Sequence, residues 1–138
     1  MAALDSLSSK EVPPGFEKDL ENISIDFDGV IHDFSKGWHD GTCYGDPLPG
    51  AIDAIKKLSS HYNVIIFTAK AKPSRPLVNG KTGTELVAEW LDKHGVLDCI
   101  DEITCEKPRS QVYVDDKGYH FQNWDDTMRY LESKYEKL

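Results

Sequence analysis

The chain has 138 residues, of which 39% are hydrophobic and 29% charged, and its formal net charge is -8. This length is typical of one globular domain with its own hydrophobic core. An acidic chain lacks the basic face that general binding to nucleic acid or to an anionic membrane requires, although a local basic pocket is still compatible with it. No apolar stretch approaches the roughly 20 residues of a membrane span, and no secretory signal is visible, so we expect a cytoplasmic protein without membrane contact.

The first 21 residues are mostly polar and contain the breaker Pro13-Pro14-Gly15. We therefore expect residues 1–21 to form a loosely ordered lead-in and residues 22–138 to form one domain. Apolar runs and helical spacing predict strands at 22–28, 63–68, 101–105 and 111–116, and helices at 51–58, from Thr82 or Thr84 to about His94, and at 125–137. Segment 30–48, which is called the flap below, and segment 69–81 are predicted loops.

Strands that alternate with helices indicate an α/β protein. Right-handed crossover connections through the helices make successive strands parallel. The continuous apolar run Val64-Ile65-Ile66-Phe67 is typical of a strand that is covered on both faces. We therefore predict a single doubly wound, three-layer Rossmann-like domain with a mostly parallel sheet.

The first predicted strand ends in two carboxylates, Asp26 and Asp28, which are followed by Gly29. In a fully extended strand, residues two apart point to the same side, and a glycine lets the chain turn directly after them. The carboxyl ends of parallel strands are where ligands bind in such sheets. Two neighbouring acids repel each other unless a cation lies between them or one holds a proton. The pattern therefore predicts acidic chemistry at the centre of the sheet.

Further polar positions lie beside the other predicted strands. Thr68 ends the second strand, Lys107 precedes the fourth strand, and Asp115 and Asp116 end the fourth strand. Each of these features is common by itself. Their joint order of two acids, a hydroxyl, a lysine and two more acids is much more specific.

In these positions the sequence resembles the haloacid dehalogenase (HAD) superfamily of aspartate-nucleophile phosphohydrolases. Asp26-Phe27-Asp28-Gly29-Val30 is similar to the first motif of that family, Thr68 to the second, Lys107 to the third and Asp115-Asp116 to the fourth. The resemblance covers about residues 23–125. The segments where the family carries its mobile cap domains are short here, which implies a small capless member.

The resemblance implies a phosphatase that hydrolyses phosphate monoesters. Asp26 would be the nucleophile that forms an aspartyl-phosphate, and Asp28 the general acid and base. Thr68 and Lys107 would stabilise the phosphoryl oxygens. Mg²⁺ would be the cofactor, because hard oxygen ligands suit this ion.

The resemblance also implies a ligand set for this ion. It comprises the Asp26 side chain, the Asp28 backbone carbonyl, and Asp115 or Asp116. Positions that follow the first two strand ends are the predicted substrate contacts, namely Gly29, Ala69, Lys70 and Arg75.

The predicted loop after the second strand is rich in basic residues, namely Lys70, Lys72, Arg75 and Lys81. A basic rim would favour a small phosphorylated substrate with further negative charge, such as a nucleotide, a phosphorylated nucleic-acid end or an acidic sugar phosphate. Trp38 and Tyr44 in the flap could then stack on a base or sugar face. The same residues are equally compatible with solvated surface charges. The oligomeric state and the natural substrate stay open.

Two other classes of protein share parts of this pattern. A catalytically inactive HAD-fold binding module would keep the fold, and a receiver-like phosphoacceptor domain also combines acids, a hydroxyl and a lysine on a parallel sheet. The position of the nucleophile in the first strand argues against a receiver. The histidines show no pair at zinc-binding spacing, but His32 follows the first strand closely enough to touch the substrate or the acid.

Overall fold

The computed structural model describes residues 21–106, 110, 112–115 and 119–134. The lead-in predicted for residues 1–21 therefore lies, up to residue 20, outside the described residues. Five strands form one sheet, namely β1 (Asn22–Asp26), β2 (Asn63–Phe67), β3 (Glu102–Thr104), β4 (Val112–Asp115) and β5 (Tyr119–His120). The helices are α1 (Ala51–Ser59), α2 (Gly83–Lys93) and α3 (Trp124–Lys134). Short 3₁₀ turns lie at Ala69–Ala71 and Leu97–Cys99.

The strands lie in the order β3-β2-β1-β4-β5, and every pairing in the sheet is parallel. The predicted mixed α/β class with a parallel sheet is confirmed, and the strand order is compatible with a Rossmann-like fold. β1 is the central strand, with β2 on one side and β4 on the other. Chain order reverses between β1 and β4, which is the position where open α/β sheets form a ligand-binding crevice.

The predicted central strands form because their apolar residues bury one face of the sheet, and Ser24 in β1 and Ile65 in β2 are buried on the other face. Ile23 and Ile25 in β1 are fully buried, as are Val64 and Ile66 in β2 and Val114 in β4. Burial of this kind supplies most of the free energy that holds the sheet together.

The predicted start of α2 is also confirmed, and Thr82 rather than Thr84 is its N-cap. The Thr82 hydroxyl accepts a hydrogen bond from the Glu85 backbone, and the Glu85 carboxylate accepts one from the Thr82 backbone. This capping box satisfies two donors at the helix end. Gly95 follows the helix with φ 77°, in the left-handed region that glycine adopts without strain.

Three elements differ from the sequence prediction. β1 ends at Asp26 rather than at residue 28, because the Phe27 carbonyl accepts hydrogen bonds from the backbone of residues 30–32 and so turns the chain. β5 was not predicted, since two residues carry too little pattern to identify a strand. The predicted loop 69–81 begins with the 3₁₀ turn Ala69–Ala71.

Backbone hydrogen bonds join the beginning of the flap to its end. The Asp33 N–H donates to the Asp46 carbonyl at 3.0 Å, and the Leu48 N–H donates to the Ile31 carbonyl at 2.8 Å. An antiparallel bridge between His32 and Pro47 lies between these two bonds. The flap therefore has two antiparallel arms. Within the described ranges, no helix has the length and apolar character that a membrane span requires.

Candidate active site

The carboxyl ends of β1 and β2 bring the first two predicted motifs together. Asp26 is the last residue of β1 and pairs with Phe67, the last residue of β2, so Thr68 follows directly beside Phe27. Gly29 has φ 81°, and an added Cβ would meet no atom within 4 Å. The requirement for glycine at this turn is therefore one of backbone conformation and not of space.

Asp115 lies at the same level as Asp26 on the neighbouring strand. Ile25 of β1 pairs with Val114 of β4. The next residues along the two parallel strands, Asp26 and Asp115, therefore end their strands side by side. The predicted acids of β1 and β4 thus converge at the position where chain order reverses.

Thr68 is buried, with 4% of its surface exposed. Its backbone N–H donates to the Thr104 carbonyl at 2.9 Å, which continues the pairing of β2 with β3 past the strand end. The Thr68 hydroxyl oxygen accepts a hydrogen bond from the Lys70 N–H at 3.2 Å. Because the oxygen is the acceptor in that bond, the hydroxyl proton of Thr68 remains a donor for an anion at this edge.

Asp28 is held by two donors. The Lys70 Nζ lies 2.9 Å from one carboxylate oxygen, and the His32 Nδ1 lies 3.0 Å from the other. Both partners are buried, with 1% of the Lys70 side chain and none of His32 exposed, whereas 18% of the Asp28 side chain reaches solvent. The alternative of a solvated surface charge is therefore wrong for Lys70, because its side chain lies inside the site.

The flap surrounds the Lys70 ammonium with aromatic rings. The Lys70 Nζ lies 4.7 Å from the ring centroids of both Phe34 and Trp38. Cations are attracted to aromatic faces at such distances, most strongly when water is excluded. Tyr44 is part of the same framework, because its hydroxyl donates to the Gly37 carbonyl at 2.7 Å and accepts from the Lys36 N–H. Its role in the flap is thus structural in the first place.

The other predicted substrate contacts lie farther out. Ala69 is exposed, and its carbonyl accepts a hydrogen bond from the Arg75 Nε at 3.2 Å. The Arg75 guanidinium carbon lies 4.3 Å from the centroid of Trp38, whose surface is 41% exposed. Lys81 forms an exposed ion pair with Glu89 at 2.8 Å. The basic residues after β2 thus have separate surroundings and do not form one continuous rim.

Cys43 is a half-buried thiol close to the site. Burial raises the pKa of Cys43 to about 11, while the charge of Lys70 lowers it and that of Asp28 raises it. A thiol in this state is protonated at neutral pH and is a poor nucleophile. All three cysteines of the chain are free thiols.

The remaining motif positions are described only in part. Lys107 and Asp116 lie outside the described residues, and Asp115 is described by its backbone alone. Among the side chains that the structure describes, no group of three His, Cys, Asp or Glu residues is arranged to hold a metal ion.

The donors at this edge nevertheless have the chemistry that Mg²⁺ prefers, namely carboxylates at the ends of β1 and β4. Both oxygens of the Asp28 carboxylate already have a donor, Lys70 on one and His32 on the other.

Sequence reasoning found the acids, Thr68 and the possible contact of His32 with the acid, but it missed the ion pair of Lys70 with Asp28. Spacing indicated that His32 could reach the acid, and the structure brings them together. No local signal marks Lys70, since its partners lie in the flap and in the turn after β1. No protein-family model, curated protein or solved structure matches this chain.

Proposed function

We propose that this protein is a Mg²⁺-dependent phosphatase that hydrolyses phosphate monoesters through an aspartyl-phosphate on Asp26. We propose further that it is a small capless member of the HAD superfamily with a doubly wound, three-layer Rossmann-like fold. The observation that carries the proposal is the convergence of Asp26, Asp28 and Thr68 at the carboxyl ends of two adjacent parallel strands. Asp115 ends β4 beside Asp26, and this position supports the proposal further.

The chemistry follows from the positions of these side chains. In the first step an Asp26 oxygen forms a bond to phosphorus, the bond from phosphorus to the ester oxygen breaks, and Asp28 gives a proton to the leaving alcohol. In the second step water attacks the phosphorus of the aspartyl-phosphate. Asp28 takes the proton of that water, and the bond to Asp26 breaks. The Thr68 hydroxyl donates to a phosphoryl oxygen in both steps.

Asp26, the Asp28 carbonyl and Asp115 or Asp116 would hold Mg²⁺. When bound, the ion would offset the negative charge that the phosphate brings to an acidic site. This set is the one that the sequence implies, and the hydrogen bonds of the Asp28 side chain agree with use of its carbonyl rather than its carboxylate as a ligand.

A hydrolysis screen tests the proposal. The purified protein is assayed against aryl, sugar and nucleoside phosphates with Mg²⁺, after chelation, and after Mg²⁺ is restored. We expect turnover that disappears on chelation and returns with the ion. Asp26→Asn should abolish turnover because the amide is not a nucleophile, while Asp33→Asn in the flap serves as a matched control with an intact site.

Further measurements on the same purified protein separate the phosphatase from the alternative classes of protein. Acid quenching during turnover should trap a phosphoryl group on the peptide that contains Asp26. Turnover that survives Asp26→Asn would contradict the covalent mechanism. Stable phosphorylation by acetyl phosphate without ester turnover would identify a receiver-like domain. Binding of a phosphate mimic without either reaction would identify an inactive binding module.

A further inference from the structure

The Asp28 carboxylate is fixed from two directions by buried side chains. Lys70 Nζ donates to one oxygen at 2.9 Å and His32 Nδ1 to the other at 3.0 Å. Each of these side chains is at most 1% exposed. A carboxylate with a donor on each oxygen has one favoured rotamer, because rotation about its side-chain bonds breaks both hydrogen bonds.

The flap determines the tautomer of His32. The Gly45 N–H donates to His32 Nε2 at 2.8 Å, so this nitrogen carries no proton. The ring proton of the neutral imidazole is therefore on Nδ1, where it points at Asp28. The ring is also stacked on Phe27 at 5.0 Å with an interplanar angle of 4°, and the Trp90 ring meets it edge-on at 5.5 Å. His32 thus has a fixed position as well as a fixed proton.

Lys70 is fixed at both ends. Its backbone is in close contact with the start of α2, since a Cβ on Gly83 would lie 1.6 Å from the Lys70 carbonyl oxygen. Its ammonium lies against the rings of Phe34 and Trp38. A buried ion pair adds little net stability compared with well-packed apolar residues, so stability alone gives a weak reason for this arrangement.

We infer that Lys70 and His32 are positioning residues that hold Asp28 in the orientation in which it exchanges a proton with the leaving alcohol and with water. This inference rests on the proposed phosphatase function and extends it. It assigns Lys70 to Asp28 rather than to the charge of the substrate. It also gives the flap a role, because the flap supplies His32, the Gly45 N–H and the two rings that hold Lys70.

The leaving group of the substrate tests this role. An alkyl phosphate needs a proton on its leaving oxygen, whereas dinitrophenolate leaves without one. Lys70→Met should therefore lower kcat/KM at least about tenfold on an alkyl phosphate, with a much smaller effect on dinitrophenyl phosphate, because kcat/KM reflects formation of the aspartyl-phosphate and not its hydrolysis by water. Lys81→Met is the matched control, because it removes a surface lysine whose partner is Glu89.

A double variant tests whether Lys70 acts through Asp28. Asp28→Asn alone and Lys70→Met/Asp28→Asn should have the same kcat on the alkyl phosphate within about twofold, because Lys70 has nothing left to position. Multiplicative losses would overturn the inference. Should Lys70→Met alone fail to fold, His32→Phe decides, since it keeps a stacked ring on Phe27 and removes the Nδ1 donor. It should show the same dependence on the leaving group.

A spectroscopic measurement needs no turnover. Nitrogen-15 spectra of the His32 ring should show a protonated Nδ1 and an unprotonated Nε2 in the wild type, and the opposite tautomer would overturn the inference. A wild type that hydrolyses no ester would refute the proposed function itself. A wild type that is active, with equal losses of kcat/KM on both esters in Lys70→Met, would refute the positioning role alone.

Discussion

Gly45 joins the flap to the rest of the site, and its replacement by alanine gives the sharpest test of the structure. A Cβ at this position would lie 2.2 Å from the Asp33 carbonyl oxygen, whereas ordinary contacts of this kind begin at 3.4 Å. The two arms of the flap must therefore separate by about 1.2 Å, the difference between these distances. Both atoms in the clash are held by the backbone, so no side-chain rotation relieves it.

Three hydrogen bonds depend on the present position of this part of the flap, two between its arms and one to Trp90 in α2. Gly45 donates to His32 Nε2 at 2.8 Å, its carbonyl accepts from Trp90 Nε1 at 2.9 Å, and Asp33 donates to the Asp46 carbonyl at 3.0 Å. An increase of about 1.2 Å moves such atoms beyond hydrogen-bonding distance. At about 1 kcal/mol each, the loss is about 3 kcal/mol in the free energy of unfolding, or on the order of 10 °C in Tm.

Chemical and thermal denaturation followed by circular dichroism measures this loss. Gly80→Ala is the matched control, because a Cβ there meets no atom within 4 Å and only the φ of 78° is unfavourable for alanine. That strain corresponds to about 1 kcal/mol. A Gly45→Ala protein no less stable than Gly80→Ala would refute the described packing of the flap.

Three further predictions concern other parts of the chain. Thr82→Ala should lower the free energy of unfolding by about 1 kcal/mol, because it removes the N-cap hydroxyl of α2, whereas Thr82→Ser should leave it almost unchanged in the same denaturation assay. The Cys43 thiol should react with iodoacetamide about 100-fold more slowly at pH 8 in the folded protein than in urea, because burial raises its pKa from 9.0 to about 11. Mass spectrometry of the peptide that contains Cys43 measures both rates. Equal rates would contradict the burial of the thiol. Arg75→Gln should raise KM several-fold for phosphates with a second anionic group and not for a simple aryl phosphate, with the difference shrinking at high salt. Lys81→Gln, which disturbs only a surface ion pair, should affect both substrates equally, and an identical response from Arg75→Gln would exclude Arg75 from substrate selection.

The sheet was predictable because its signals are local in sequence. The apolar runs of β1 and β2 occupy consecutive residues, and the ends of α2 are marked by a capping threonine and a glycine. The acids that follow the apolar run of β1 were predictable from the same local pattern, and β1 is the central strand of the sheet. β5 escaped prediction because its two residues are recognised as a strand only through their pairing with β4.

The burial of Lys70 was not predicted because it depends on residues far away in the chain. Lysine is almost never fully buried unless it is paired, so a lysine in a polar loop is expected at the surface. Here its partner Asp28 is 42 residues distant, and the rings of Phe34 and Trp38 belong to a segment with no regular secondary structure. No periodicity connects these positions.

The burial of Lys70 changes which basic residue after β2 is expected to attract an anionic substrate. An ammonium that is paired with Asp28 and enclosed by aromatic rings is already compensated, so it adds little to the attraction of an anion from solution. The guanidinium of Arg75 instead lies on Trp38, whose surface is 41% exposed. Selection for negative charge at this edge would therefore depend on Arg75, whereas Lys70 would affect the rate of proton transfer. Substitutions of these two basic residues should thus alter different kinetic constants, KM for Arg75 and kcat for Lys70.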